Sequence, residues 1–288
     1  MGIDTIQTYY DQNVQREWDR MDEHPIEFLL TKHQLDQYIK PGQTVLDLGG
    51  GPGRYALYLS ERGCQVTLMD LSQGNIDFAK QKAEQAGLKL EALQGNALQA
   101  SEILSGQSFD HVLVMGPLYH LLNEADRTIA VRSALSLTKP GGRAWFAFLL
   151  IGSGIIYYMS TWPEMIGLKS EDEYLACVKE SRSYAGPAFT EAFFIDQKEI
   201  LPFMAQFHLE DQHCFGQESI LAQFEPVWKG LSPELKQLYI DLAIALQERP
   251  EFLSYNCHAI VHGIKPHSLK LPEEASQGQE MDAAERGT

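Results

Sequence analysis

Residues 44–72, TVLDLGGGPGRYALYLSERGCQVTLMDLS, set four clustered glycines and a proline between two short apolar runs. So loose a loop is useful only when ordered elements hold both its ends. Residues 45–48 read as a buried strand, 54–62 as a helix closed by Gly63, and 65–69 as a second strand. Glycines leaving a strand let backbone amides and the following helix N-terminus approach a ligand without Cβ obstruction. The opening loop of a parallel nucleotide-binding sheet works in this way.

The rest of the chain extends that pattern. A helix at 74–86 ends at Gly87, a weaker strand is expected at 89–93, and FDHVLVMG at 109–116 is a fourth strand. A helix at 124–137 leads into KPGGRAWFAFLL, a turn and a fifth strand. Continuously apolar strands alternating with helices predict an α/β fold, a mostly parallel sheet covered on both faces. Upstream, 4–23 and 25–39 read as two helices divided by Pro25. The segment 151–215 is locally rich in aromatics, and is either a lid or an ordinary helical insertion. EAFFID at 191–196 is a strand or the lid's edge, QKEILPFMAQF a helix, 232–248 another helix, and SYNCHAIVHGIKP a last strand. The expected organisation is a helical cap at 1–40, a ligand-binding core at 41–150, a lid at 151–215, completion of the core at 216–265, and a polar, disordered tail at 266–288.

Charge and composition narrow the function. A hydrophobic content of 44 % across 288 residues is enough for a large core without metal or disulfide staples. A net charge of -16 repels phosphate backbones and argues against a nucleic-acid partner. Cys64, Cys177, Cys214 and Cys257 lie far apart and suit free thiols in a reducing compartment. The N-terminus has no apolar signal region and no run is long enough to span a bilayer, so a cytoplasmic protein without a membrane partner is expected. His258 and His262, four apart on one strand, stand too far from each other to share an ion, and no metal is expected.

The loop lacks the Gly-Lys-Ser/Thr ending of a triphosphate cradle, which excludes ATP hydrolysis. A dinucleotide loop remains open, although Arg54 stands where its third glycine belongs. Asp47, two residues before the first glycine, sits badly against a pyrophosphate and suits a ligand bearing an amine.

With these residues in view, Asp47-Leu48-Gly49-Gly50-Gly51-Pro52-Gly53 resembles the first motif of the class I S-adenosylmethionine-dependent methyltransferases. The resemblance implies a seven-stranded Rossmann-like sheet, with a helical cap and a lid after strand five. It implies that Asp47, Gly49, Gly51 and Gly53 face the methionine part of the cofactor, and that Asp70 with Leu71 holds the ribose hydroxyls. Asn96 and Ala97 match the adenine pair, where the family more often has an aspartate. Met115 lines the floor of the transfer site. The flanks YYDQNVQREWDRMDEHPIEF and GPLYHLL resemble a bacterial and archaeal small-molecule subgroup (methyltransferase type 11/25-like), which carries no particular substrate. S-adenosylmethionine is thus the expected cofactor, S-adenosylhomocysteine its product and a small molecule the acceptor. The protein is expected to be a monomer or homodimer.

Methyl transfer needs no fixed triad, so candidates for the chemistry come from position. His120, after the fourth strand, is a base or substrate-orienting residue, or a packed cap. Tyr10 and Glu17, seven apart on one expected helix, share a face and can reach one pocket. Arg54 either anchors the cofactor carboxylate or pairs with an acid such as Glu17. Tyr9, Trp18, Tyr119, Tyr157 and Trp162 are candidates for the acceptor wall, with local core packing as the alternative. Two other functions are carried alongside: an NAD-dependent oxidoreductase, and an S-adenosylmethionine-binding protein without turnover.

Overall fold

Three helices form the N-terminal segment, where two were expected: α1 (Ile3–Gln12), α2 (Val14–Glu23) and α3 (Pro25–Tyr38). The additional break is at Asn13, whose backbone leaves helical geometry (φ -120, ψ 19) while its side-chain amide donates to the Tyr9 carbonyl. Asn competes in this way for backbone groups that a helix would otherwise use. The computed structural model describes residues 3–267. The tail expected at 266–288 therefore lies, from residue 268 onward, outside the described residues.

Strands and helices then alternate as β1 (Thr44–Leu48), α4 (Arg54–Glu61), β2 (Gln65–Asp70), α5 (Gln73–Gln85), β3 (Glu91–Gln94), α6 (Ala100–Ile103), β4 (Phe109–Val114), α7 (Glu124–Leu137) and β5 (Thr138–Leu150). The third strand is displaced by two residues from its expected start. The chain continues as α8 (Ser153–Thr161), α9 (Asp172–Lys179), β6 (Tyr184–Pro187), β7 (Glu191–Ile195), α10 (Gln197–Ala205) and β8 (Glu210–Gly216). It closes with α11 (Glu225–Lys229), α12 (Pro233–Leu246), α13 (Pro250–Leu253) and β9 (His258–Ile264).

The main sheet runs β3-β2-β1-β4-β5-β9-β8, parallel through β5, with β9 antiparallel to both its neighbours. These seven strands are the main path of a nine-stranded sheet, from which β7 and β6 branch at β5, with helices on both faces. One layer of core joins Leu46, Val112, Phe146 and Ala134 of α7; the other joins Val45, Leu113, Trp145 and Leu59 of α4. Side chains from adjacent strand positions enter opposite layers, as the strand period of two requires.

Two pairings depart from the simple lid. β8, inside the segment expected as lid, is a sheet strand laddered to β9. β7 pairs parallel to β5 at Leu149 and Leu150, while β9 occupies the other edge of β5 from Arg143 to Leu149. Because a strand has two edges, β7 takes the edge that β4 leaves after Phe146. The β6–β7 hairpin therefore stands over the carboxyl end of β4, where ligands of an open α/β sheet bind. Among the described residues no helix is long and apolar enough to cross a membrane.

Candidate active site

The carboxyl ends of β1, β2 and β4 open on a cleft of about 160 Å³. Gly49 and Gly51 turn the chain there with φ of +72 and +57, a region that costs residues with a Cβ. Gly50 has a different reason to be glycine: a Cβ would come within 2.6 Å of Leu68 Cδ1 and press on the Asp47 carboxylate. The loop thus folds directly over Asp47.

Asp47 is fully buried, and neither carboxylate oxygen has a hydrogen-bond partner. Burial first, then the neighbouring Asp70 charge, pushes its pKa up to about 7. The Ala56 amide offsets part of this without reaching hydrogen-bond geometry. A buried carboxylate with no donor is costly, and a cationic ligand donor relieves that cost.

Asp70 ends β2 beside it and is well held. Its Oδ2 accepts from the Gly51 N–H at 2.8 Å, and its Oδ1 from Ser72 N–H at 2.9 Å and Asn75 Nδ2 at 3.1 Å. Burial nonetheless raises its pKa. Ser72 caps α5 through Asn75 N–H and donates its hydroxyl to Asp11, whose Oδ1 also accepts from Gly74 N–H, so α1 is latched to the start of α5. Asn96 accepts the Leu98 N–H at 3.0 Å through its Oδ1, and its amide donors have no partner among the described residues. Leu71, Ala97 and Met115 complete this end of the lining.

At the other end, His120 closes a short turn over residues 117–120. Its Nδ1 lies 3.2 Å from the Glu191 carbonyl, and its Nε2 lies 2.7 Å from the Tyr10 hydroxyl. A carbonyl can only accept, so Nδ1 carries the proton and Nε2 presents its lone pair to Tyr10. Burial lowers the His120 pKa to about 4, which keeps the ring neutral. The hairpin, the β4 turn and α1 therefore converge on one imidazole. Tyr119 lies beside it, its hydroxyl donating to the Met115 carbonyl.

Glu17 and Arg20 of α2 form the outer wall, 3.6 Å apart, and burial raises the Glu17 pKa. Arg20 also holds Glu27 through both oxygens, at 2.5 and 3.2 Å. Glu27 in turn meets Glu218 and His258, the three ligand atoms lying within 4.8 Å of one another. Three such groups resemble a metal cage, yet every carboxylate oxygen among them already has a hydrogen-bond partner. Glu218 accepts from the His258 and Cys257 amides and, at 2.6 Å, pairs with His258 Nδ1. With Arg20 bidentate on Glu27, the cluster is a buried charge network. His262 is engaged separately, stacked on Trp145 with its Nδ1 against Arg143.

Of the residues predicted from sequence, Asp47, Gly49, Gly51, Asp70, Leu71, Asn96, Ala97, Met115, Tyr10, Glu17, Tyr119 and His120 line the cleft together. Arg54 borders it, but its guanidinium is paired with Asp22 at 2.6 Å and lies over Trp18. The acid partner is thus Asp22, not Glu17. Gly53 packs toward Ala79 and Leu68 at the head of α4, outside the lining. Trp18 faces α5, tilted on Phe78. Tyr9 rests on Tyr10 and Phe189. Tyr157 and Trp162 pack edge to face and stay 45 % and 53 % exposed, so neither walls the cleft. Arg20, Met21 and Asn75 line it unforeseen. Arg20 and Met21 follow Glu17 by three and four positions, a spacing that could have found them.

Residues 45–142 match the family described as a methyltransferase domain. The ubiquinone biosynthesis O-methyltransferase of Stutzerimonas stutzeri is 29 % identical over 136 residues, 46 % of this chain and 57 % of that protein. The chain spans about half the length of the curated relatives it matches. A S-adenosylmethionine-dependent methyltransferase from Methanosarcina mazei superposes with a TM-score of 0.51 at 17 % identity, covering 81 % of this chain and 97 % of that one. The plantazolicin methyltransferase BamL, solved with a triazolic desmethylPZN analog and SAH, gives 0.55 at 16 % identity, covering 91 % and 94 %. At those identities the likeness concerns the fold.

Proposed function

We propose, on the premise that the core of this chain belongs to the class I S-adenosylmethionine-dependent methyltransferases, that the protein binds S-adenosylmethionine in this cleft and methylates a small-molecule acceptor. The observation that carries the reading is the buried, unpartnered Asp47 carboxylate beneath the glycine loop, with Asp70 on the next strand. That donor set fits the cofactor: an amine for Asp47, two ribose hydroxyls for Asp70, and an adenine acceptor for the Asn96 amide. The cofactor supplies the electrophilic methyl carbon.

The chain's own residues hold and orient the partners. Asp47 gains a cationic donor, and becomes fully ionised when it does. Gly51 N–H releases or shares the Asp70 carboxylate with a ribose hydroxyl. At the far end His120 offers Nε2, the lone pair that Tyr10 occupies, to the acceptor's hydroxyl hydrogen, and Glu191 fixes the ring orientation through Nδ1. The α1 and α2 helices and the β6–β7 hairpin exclude water around that atom.

We infer a hydroxyl oxygen as the methylated atom, supported by the O-methyltransferase naming of the relatives and by a neutral imidazole at the acceptor end. Calorimetric titration with S-adenosylmethionine and, separately, NAD tests the cofactor, with Asp70→Ala alongside. Micromolar binding of the first that is lost in the variant is expected; binding of NAD alone would overturn the reading. A panel of phenols and catechols, followed by release of S-adenosylhomocysteine, then tests the acceptor.

A further inference from the structure

A second cavity lies beside the cleft, an open groove of about 530 Å³ between α2, α3, α4 and α5. Trp18, Phe28 and Tyr58 wall it, and three cations rest on their rings. Lys32 Nζ is 4.2 Å from the Tyr58 ring centre, Arg54 Cζ is 4.5 Å from that of Trp18, and Lys82 Nζ is 5.2 Å from the same indole.

The groove lining carries three cations, Lys32, Arg54 and Lys82, against one acid, in a chain that is acidic as a whole. With a net charge of -16, acids are abundant enough to neutralise every exposed cation. Among the described residues neither Lys32 nor Lys82 forms an ion pair, as holds for most of the described lysines, and each of the two lies over a pair of aromatic rings. Glu61 is the lone acid of the lining, and Asp22 at the rim is taken by Arg54. Burial lowers the Lys32 pKa, and the Glu61 charge offsets this only in part. A flat ring with a negative substituent answers both features, since aromatic walls stack on it and unpaired ammonium groups take its charge. The groove's volume is that of a site for a small molecule.

We propose that this groove is a second ligand site for a planar aromatic anion, held by Lys32 and Lys82 with its ring against Trp18 and Phe28. It shares only Arg54 with the lining of the cofactor cleft and stands whether or not the methyltransferase reading does. Net repulsion from the rest of the chain makes the attraction local, so binding weakens as salt screens it.

The probe is naphthoate, titrated into the full chain by calorimetry and by Trp fluorescence at low and high salt, with neutral naphthamide as the isosteric control. Saturable binding of naphthoate is expected, with naphthamide weaker by roughly tenfold. A Lys32→Gln/Lys82→Gln variant should lose about the same factor, while Lys169→Gln/Lys179→Gln, in the segment around α9 and outside the groove lining, keeps wild-type affinity. S-adenosylmethionine titrations of both variants report on the cleft independently. Equal affinity for naphthoate and naphthamide, no saturation by naphthoate in the millimolar range, or unchanged binding by the Lys32/Lys82 variant would each overturn the proposal. The first two readouts need only the wild-type protein, so a variant that folds poorly does not shield it.

Discussion

Replacing Asp47 by Asn should make the protein more stable and less able to bind its cofactor. Asp47 is fully buried without a donor, and burial with the Asp70 charge lifts its pKa from 3.8 to about 7. The folded state therefore holds a proton that the unfolded chain gives up near pH 4. For an acid raised in this way stability is greatest below the unfolded pKa, and declines as pH rises toward the folded value. A difference of roughly three pH units at 1.36 kcal/mol each amounts to about 4 kcal/mol by pH 8. Asn has the same shape and no charge, so Asp47→Asn recovers most of that penalty. In a chain of this size the gain corresponds to about 8 °C in Tm. Thermal unfolding of both proteins at pH 4.5, 6, 7 and 8 measures it: the curves should nearly coincide at the lowest pH and separate steadily above it. Calorimetry at pH 8 should show S-adenosylmethionine binding to the wild type and none to the variant. A variant that is equally or less stable at every pH would refute the electrostatic reasoning, and retained cofactor affinity would refute the role given to the carboxylate.

Other perturbations separate packing from chemistry. Gly50→Ala drives a Cβ against Leu68 and Asp47, and should cost about 1–3 kcal/mol in denaturant titration together with cofactor binding. Tyr10→Phe leaves His120 Nε2 without its partner and should cost about 1–2 kcal/mol of stability. If an acceptor hydroxyl takes that place during turnover, kcat changes little in Tyr10→Phe, whereas His120→Ala loses on the order of 10²-fold; an equal loss in both variants would assign the chemistry to Tyr10. For His258, burial alone would lower the pKa, but the charge and hydrogen bond of Glu218 outweigh it and raise it. A raised base contributes stability that is present below its unfolded pKa, about 6.5, and is lost as pH climbs through the folded value. Glu218→Gln should flatten that part of the stability–pH curve, as unfolding scans between pH 6 and 9 would reveal.

The core was legible because its signals are local. Glycines punctuate each strand–helix unit of residues 41–150, and each apolar run is long enough to identify itself without knowledge of its neighbours. Long-range pairing left no such mark. β8 begins Glu210-Asp211-Gln212-His213, exposed or half-exposed along its first half, so it read as the polar end of a lid. The fate of Arg54 turned on the rotation of α2: Trp18 and Asp22, four apart, both meet its guanidinium, while Glu17 lines the cleft. In the lid helix, Tyr158 buries itself against Tyr174 and bonds Glu171, which leaves the adjacent Tyr157 pointing outward. Adjacent residues on a helix cannot share a face, so one of the pair had to lie outside; the sequence did not say which.

The β6–β7 hairpin has a consequence for traffic. Its backbone is stitched into β5 at Leu149 and Leu150, so this side of the cleft is continuous with the sheet and moves only if the sheet edge frays. Across from it, α1 is fastened by side chains alone: Asp11 to Ser72 and Gly74, and Tyr10 to His120. The molecule thus has a fixed jamb and a sprung door. If ligands come and go by displacement of α1, breaking the Asp11 latch should quicken their exchange far more than any change made to the hairpin.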